Sequence, residues 1–157
     1  MDKQPLQVAV VTQENQVGAW VAGQAGQRGG IEVSVIDLDP AGASVRSVTA
    51  RLAAAEAFVL VTPADDLPVC MRQAIEFGRA EWRTKPVAFV SYGPGSGAVE
   101  QLRSVFAELH VVVVRHGVGF GLTAFEPRAV AAMFEQLEWW GRALRDRATR
   151  SRGGHHE

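Results

Sequence analysis

Three carboxylates stand just past the ends of apolar runs: Glu14 after Leu6–Thr12, and Asp65 and Asp66 after Ala57–Thr62. Carboxylates brought together raise one another's pKa and can supply a general acid or base. Each also has a structural role open to it: Asp66 as the N-cap of the next helix, Asp65 as a loop residue, Glu14 as a solvated one. Cys70 lies near a helix N-terminus, which lowers a thiol pKa. It also lies on an apolar stripe with Ala74 and Phe77, where a free cysteine is buried and structural. His116 follows the fifth apolar run, at the same end as these groups, with no partner identifiable. Tyr92 ends the fourth run, either against a ligand or closing the sheet end. The segment Gly93–Gly97 can wrap one edge of a small planar ligand. It is not a dinucleotide fingerprint, since it follows the fourth strand rather than the first. No nucleophile-base set with a supporting motif is present, and one cysteine with four histidines makes no zinc spacing.

The elements that must position these groups alternate. Leu6–Thr12, Ile31–Asp37, Ala57–Thr62, Val87–Tyr92 and Val111–Arg115 read as five strands. Their near-continuous apolar character predicts a parallel sheet covered on both faces by helices. One helix carries Val45, Val48, Leu52 and Ala55 as its inner stripe. The next begins at Asp66 with Pro68 in its first turn and turns Cys70, Met71, Ala74, Ile75 and Phe77 inward. A third buries Val99, Leu102, Phe106 and Leu109. The last starts near Pro127 and buries Val130, Met133, Phe134, Leu137 and Leu144. Trp139 points off that stripe, as a lone surface aromatic or as a subunit contact.

The whole reads as an α/β doubly wound domain, a three-layer sandwich around a five-stranded parallel sheet. It spans residues 1–150, and 151–157 are expected to be a disordered tail. Arg142, Arg145, Arg147, Arg150 and Arg152 are expected to form a solvated helix end. A formal net charge of −1 gives no electrostatic reason to expect nucleic acid or an anionic membrane. No apolar run reaches the length of a membrane span, no signal region opens the chain, and the single cysteine fits a reducing compartment. A cytoplasmic protein is the expectation.

Several stretches together resemble the NAD(P)H-dependent FMN reductase family, a flavodoxin-like group that includes quinone and azo-dye reductases. Residues 81–93, Glu-Trp-Arg-Thr-Lys-Pro-Val-Ala-Phe-Val-Ser-Tyr-Gly, look like that family's passage into its third flavin loop. Ala98–Arg103 is similar to the helix that follows. Thr62-Pro63 resembles the family's Thr-Pro-Glu-Tyr-Asn opening, and Ile36-Asp37-Leu38 the end of its second strand. The likeness runs from about Val8 to Leu144. It implies a flavodoxin-like fold with the sheet in order 2-1-3-4-5, FMN as cofactor, NAD(P)H as hydride donor when FMN is bound, and a homodimer or higher homo-oligomer. It also implies a flavin lined by Thr12, Gln13, Asn15, Gln16, Thr62, Pro63, Tyr92, Gly93, Ser96 and Gly97.

The loops at the strand carboxyl ends, where open α/β sheets bind ligands, depart from the family pattern together. The first has Gln13-Glu14-Asn15-Gln16 in place of a Gly-Ser-x-Arg type phosphate loop. A carboxylate at Glu14 repels a phosphate by several kcal/mol at roughly 4 Å. The second has Ala64-Asp65-Asp66 for Glu-Tyr-Asn. The third, Ser91–Gly97, is shorter and gains Pro94, and the connection Asp39–Ser44 lacks a Pro-rich excursion. Three functions follow. The first is a degenerate FMN site that binds a different small ligand or runs a flavin-independent reaction with Asp65, Asp66 or Glu14 as acid/base. The second is an FMN-dependent NAD(P)H oxidoreductase of the flavin or quinone reductase type. The third is a non-catalytic oligomerising or partner-binding protein.

Overall fold

The computed structural model describes residues 4–13, 16–38, 45–109, 111–114, 118–120 and 127–153. The chain runs β1 (Leu6–Thr12), α1 (Gln16–Gly26), β2 (Ile31–Asp37), α2 (Val45–Ala54), β3 (Ala57–Pro63) and α3 (Val69–Phe77). It continues through α4 (Arg79–Trp82), β4 (Pro86–Tyr92), α5 (Gly97–Glu108), β5 (Val112–Val113), β6 (Val118–Phe120) and α6 (Pro127–Gly153). All pairings are parallel, in order β2-β1-β3-β4-β5, with β6 also on β4. This is the doubly wound arrangement that the strand-helix alternation predicts, in the strand order that the resemblance implies.

The fifth strand is not the continuous run 111–115. Val112 and Val113 pair with Pro86 and Val87, and then Val118 pairs with Val90. The fifth position therefore carries two more residues than β4 between its paired segments, and the surplus breaks the ladder as a bulge does. Arg115 and His116 lie in this interruption, outside the described residues.

Side-chain alternation sends successive strand residues to opposite faces. One face packs Phe58, Leu60, Val87 and Phe89 under α2–α5, with Trp82 and Phe106. The other packs Val8, Val10, Val59, Val61 and Val90 under α1 and α6, with Val21, Met133, Phe134 and Leu137. β1, β3 and β4 are buried on both sides. The edge strand β2 departs from the expected coverage: only Ile31 and Ile36 are buried, and Val35 is exposed. Val48, Leu52 and Ala55 of the α2 stripe are buried, as the period predicts.

Two inward assignments are corrected. Phe77 is exposed because the chain leaves the α3 axis at Gly78 immediately after it, and Leu144 is half-buried, beyond the reach of the sheet. The solvated helix end is corrected at Arg142 and Arg145, whereas Arg147 is exposed as expected and the side chains of Arg150 and Arg152 lie outside the described residues. Arg145 pairs with both oxygens of Glu56 and donates to the carbonyls of Gln4 (2.9 Å) and Pro5 (2.9 Å). Arg142 donates to Gly30 O at 2.8 Å, and Arg28 pairs with Glu138 at 2.9 Å. They are not simply solvated, because α6 crosses the amino ends of β1, β2 and β3, where free carbonyls need donors. The helix continues through Gly153. This clamp ties α6 to the amino end of the sheet.

Candidate functional site at the carboxyl edge of the sheet

Among the described residues the buried polar side chains are Thr12, Thr62 and Ser91. All three stand at or one residue before the carboxyl ends of adjacent strands, and Thr62 is directly beside Ser91 in register. Elsewhere in β1, β3 and β4 the sequence is almost wholly apolar, so this row of hydroxyls marks one edge of the sheet. By the strand alternation Thr12 and Tyr92 face α1 and α6, whereas Thr62 and Ser91 face α2–α5.

Thr12 is distinctive. It is 3% exposed, and its Oγ1 has no hydrogen-bond partner among the described residues. A Cβ placed on Gly18 would lie 2.6 Å from that oxygen, so the hydroxyl reaches the first turn of α1 only because position 18 is glycine. The first turn of α1 has no acidic residue among those described, and its leading N–H groups have no partner within the helix. A buried hydroxyl and a helix N-terminus together favour a negatively charged group. Gln13 and Gln16 are exposed on either side, and Glu14 and Asn15 fall outside the described residues.

The second and third loops meet. Ala64 N–H donates to Tyr92 O at 2.8 Å, and Ala98 N–H donates to Ala64 O at 3.1 Å. A Cβ on Gly97 would stand 2.8 Å from Asp65 O, and one on Gly95 3.1 Å from Asp65 Cα. Gly93 (φ 82°) and Gly95 (φ 99°) occupy the left-handed region, which folds the third loop back onto the second. Burial first, and then the negative charge of Asp65, push the Tyr92 hydroxyl above its ordinary pKa.

Other candidates have different places. Asp65 and Asp66 are both exposed. Asp66 is not the N-cap of α3: that position is Pro68, whose carbonyl accepts from Met71 and Arg72 N–H at 3.1 Å. Buried Leu67 anchors the loop, and the helix starts only after the proline, where φ is already suitable. Thr62 Oγ1 donates to Pro63 O at 3.0 Å. Ser96 precedes α5 but makes no side-chain cap. Cys70 is half-buried and packs against the core. No group of three metal-ligating side chains comes together among the described residues. Ser91 is the site-edge residue that sequence reasoning passed over. Its signal was a single hydroxyl ending an apolar run, in register with another.

The family model for NADPH-dependent FMN reductase matches residues 13–124. No curated protein matches the chain. Among solved structures, the Flv1 flavodiiron core from Synechocystis sp. superposes with TM-score 0.70 and 13% identity, covering 91% of this chain and 37% of that one. A flavodoxin from the domain Archaea gives TM-score 0.66 at 11% identity, covering 89% and 99%. A cysteine-to-serine mutant of flavodoxin from Pseudomonas aeruginosa gives 0.62 at 22%, covering 89% and 99%. These likenesses concern the fold. The chain spans about 37% of the flavodiiron core, so it corresponds to one part of that larger protein.

Proposed function

Because this chain belongs to the NADPH-dependent FMN reductase family, we propose that it is a diverged member whose inherited site holds the anionic end of a small ligand but excludes a flavin ring. The observation that carries this reading is the contact between the second and third loops. A planar ring stacked between them needs an aromatic thickness of free space. Here the backbone of Asp65 touches both Gly95 and Gly97, and Ala64 bridges Tyr92 and Ala98. On this reading the ring of FMN does not fit and no step of the reaction runs through it. The anion end lies at Thr12 and the first turn of α1. Asp65, beside Tyr92, is the first choice for a flavin-independent acid or base, with Asp66, its neighbour in sequence, and Glu14, which follows β1 in sequence, as the others. A reducing, cytoplasmic setting belongs to the same reading. It is supported by the single cysteine and by the lack, among the described residues, of any helix long and apolar enough to cross a membrane.

A second reading is favoured by one observation, the unpartnered Thr12 hydroxyl, which is a fitting donor for a flavin phosphate. In that case FMN would supply hydride acceptance from NAD(P)H, and Gln13, Gln16, Thr62, Pro63, Tyr92, Gly93 and Ser96 would line it. Purification separates the two. The first reading predicts a colourless protein that leaves FMN fluorescence unquenched but is stabilised against heat by inorganic phosphate. A yellow protein that releases FMN on denaturation overturns it. Glu14→Ser adds a further test, since removal of a carboxylate should strengthen phosphate binding severalfold.

A further inference from the structure

Trp139 and Trp140 stand on the outer side of α6, 65% and 37% exposed. Their indole rings are close to perpendicular, with an interplanar angle of 87° and 5.1 Å between centroids. Two rings in contact at right angles form a corner whose walls are both π faces. Each face carries the negative part of the ring quadrupole, so a cation in the corner is drawn to both rings at once. The corner opens onto a cavity of about 520 Å³ that Ala132, Glu135 and Gln136 complete among the described residues. That volume lies in the range of small-ligand sites.

The charges around the corner favour the same kind of occupant. Glu135 precedes Trp139 by four positions and Gln136 precedes Trp140 by four, so each lies one turn before an indole on the same side of the helix. Glu135 is exposed and makes no ion pair among the described residues. Glu138 and Arg142 are held elsewhere, Glu138 by Arg28 and Arg142 by Gly30 O. Arg128 stands seven positions before Glu135, Asp146 seven after Trp139 and Arg147 seven after Trp140, all exposed. Seven positions are about 10 Å along the axis, beyond the screening length at physiological salt. No cation of the chain lies over either ring among the described residues.

We propose that this corner binds a small, free organic cation carrying a quaternary ammonium group. A primary ammonium is strongly hydrated and carries three donors, whereas the lining offers only the Glu135 carboxylate and the Gln136 amide oxygen as side-chain acceptors. A guanidinium is flat and stacks on a single face. A quaternary ammonium has no N–H to satisfy, presents methyl groups to both rings and keeps its charge beside the carboxylate. The lining spans positions 132–140, about 12 Å of helix, which matches one headgroup rather than the longer track of a peptide. None of these residues belongs to the loops at the carboxyl edge, so binding here is independent of what those loops hold.

Choline is the probe, titrated into the full chain and followed by the indole N–H signals in a nitrogen–proton correlation spectrum. Saturable binding near about 1 mM is expected, with shifts at Trp139 and Trp140 and none at the buried Trp82. The uncharged isostere, in which a tert-butyl group replaces trimethylammonium, is expected to bind at least about tenfold more weakly. Trp139→Leu and Trp140→Leu are each expected to weaken choline about tenfold, and Glu135→Gln about threefold, with unchanged far-UV circular dichroism. No saturation at tens of millimolar, equal binding of the isostere, or variants that bind like wild type each overturns the proposal. A trimethyllysine peptide that binds more than about tenfold tighter than choline overturns the free ligand in favour of a protein partner.

Discussion

The Thr12 side chain occupies the space that a side chain at position 18 would need: a Cβ on Gly18 would lie 2.6 Å from its hydroxyl. The end of β1 and the first turn of α1 are thus fitted to each other, and the contact leaves a buried hydroxyl without a partner among the described residues. Gly18→Ala is expected to cost about 1–3 kcal/mol through overpacking, read as a lower urea midpoint. Thr12→Val removes the unsatisfied oxygen and keeps the branched shape. It is expected to stabilise the ligand-free protein by about 1 kcal/mol while abolishing protection by phosphate. Loss of stability in Thr12→Val would show that the hydroxyl has a partner in solution.

Tyr92 is the only tyrosine, so its ionisation can be followed directly by tyrosinate absorbance. Burial, and secondarily Asp65, raise its folded pKa above the ordinary value of 10.0. A raised folded pKa contributes stability that is fully present below the unfolded pKa and lost as pH rises through the folded one. Destabilisation by this group therefore begins above about pH 10. Asp65→Asn should move the titration part of the way down and leave the burial effect in place. An unchanged titration would mean that Asp65 does not face the ring.

The Glu56–Arg145 pair joins the start of β3 to α6. Burial alone would raise the Glu56 pKa. Hydrogen bonds from Arg145 and Gln7 N–H, with the charges of Arg145 and Arg142, outweigh it and hold Glu56 below its ordinary 4.5. A depressed carboxylate pKa contributes stability present above the unfolded pKa and lost as pH falls through the folded one. Glu56→Gln should cost about 1 kcal/mol near neutral pH, a small value because the pair is partly exposed and screened. The difference from wild type should close below about pH 4. A difference that persists in acid would assign the effect to packing rather than charge.

Trp82 is fully buried, with its ring against Phe58 (4.3 Å between centroids) and Phe106 (5.3 Å), and its indole N–H donates to Ala74 O at 3.2 Å. Trp82→Ala should cost about 3–5 kcal/mol. Trp82→Phe, which keeps the ring contacts but loses the donor, should cost about 1–2 kcal/mol. Equal costs would mean that the hydrogen bond dominates.

The strands β1 to β4 were legible in the residues because a sheet buried on both faces demands unbroken apolar runs, and few other arrangements do. The helix stripes at Val48–Leu52, Leu102–Phe106 and Val130–Leu137 followed from the same demand at the helical period. The exposed Trp139 was legible by the same rule, from its place off the stripe. What failed to show was everything set by partners distant in the chain. Asp66 has the right chemistry for a cap, yet buried Leu67 and the rigid Pro68 carry the helix start beyond it. Phe77 has the right period, yet the chain turns at Gly78 before its ring can be covered. Arg142 and Arg145 look like a solvated tail until α6 is laid across the strand ends.

The site divides in the same way. The expectation of a site at the carboxyl ends of the strands, and of loops that depart from the pattern the resemblance implies, came from the chain itself, because strand direction and loop composition are local properties. Three things needed the tertiary structure: the row Thr12, Thr62 and Ser91, the unsatisfied Thr12 hydroxyl against Gly18, and the closure of Gly95 and Gly97 onto Asp65. They are distances between segments set by sheet register and by how closely glycine lets two backbones approach. No local pattern encodes such a distance.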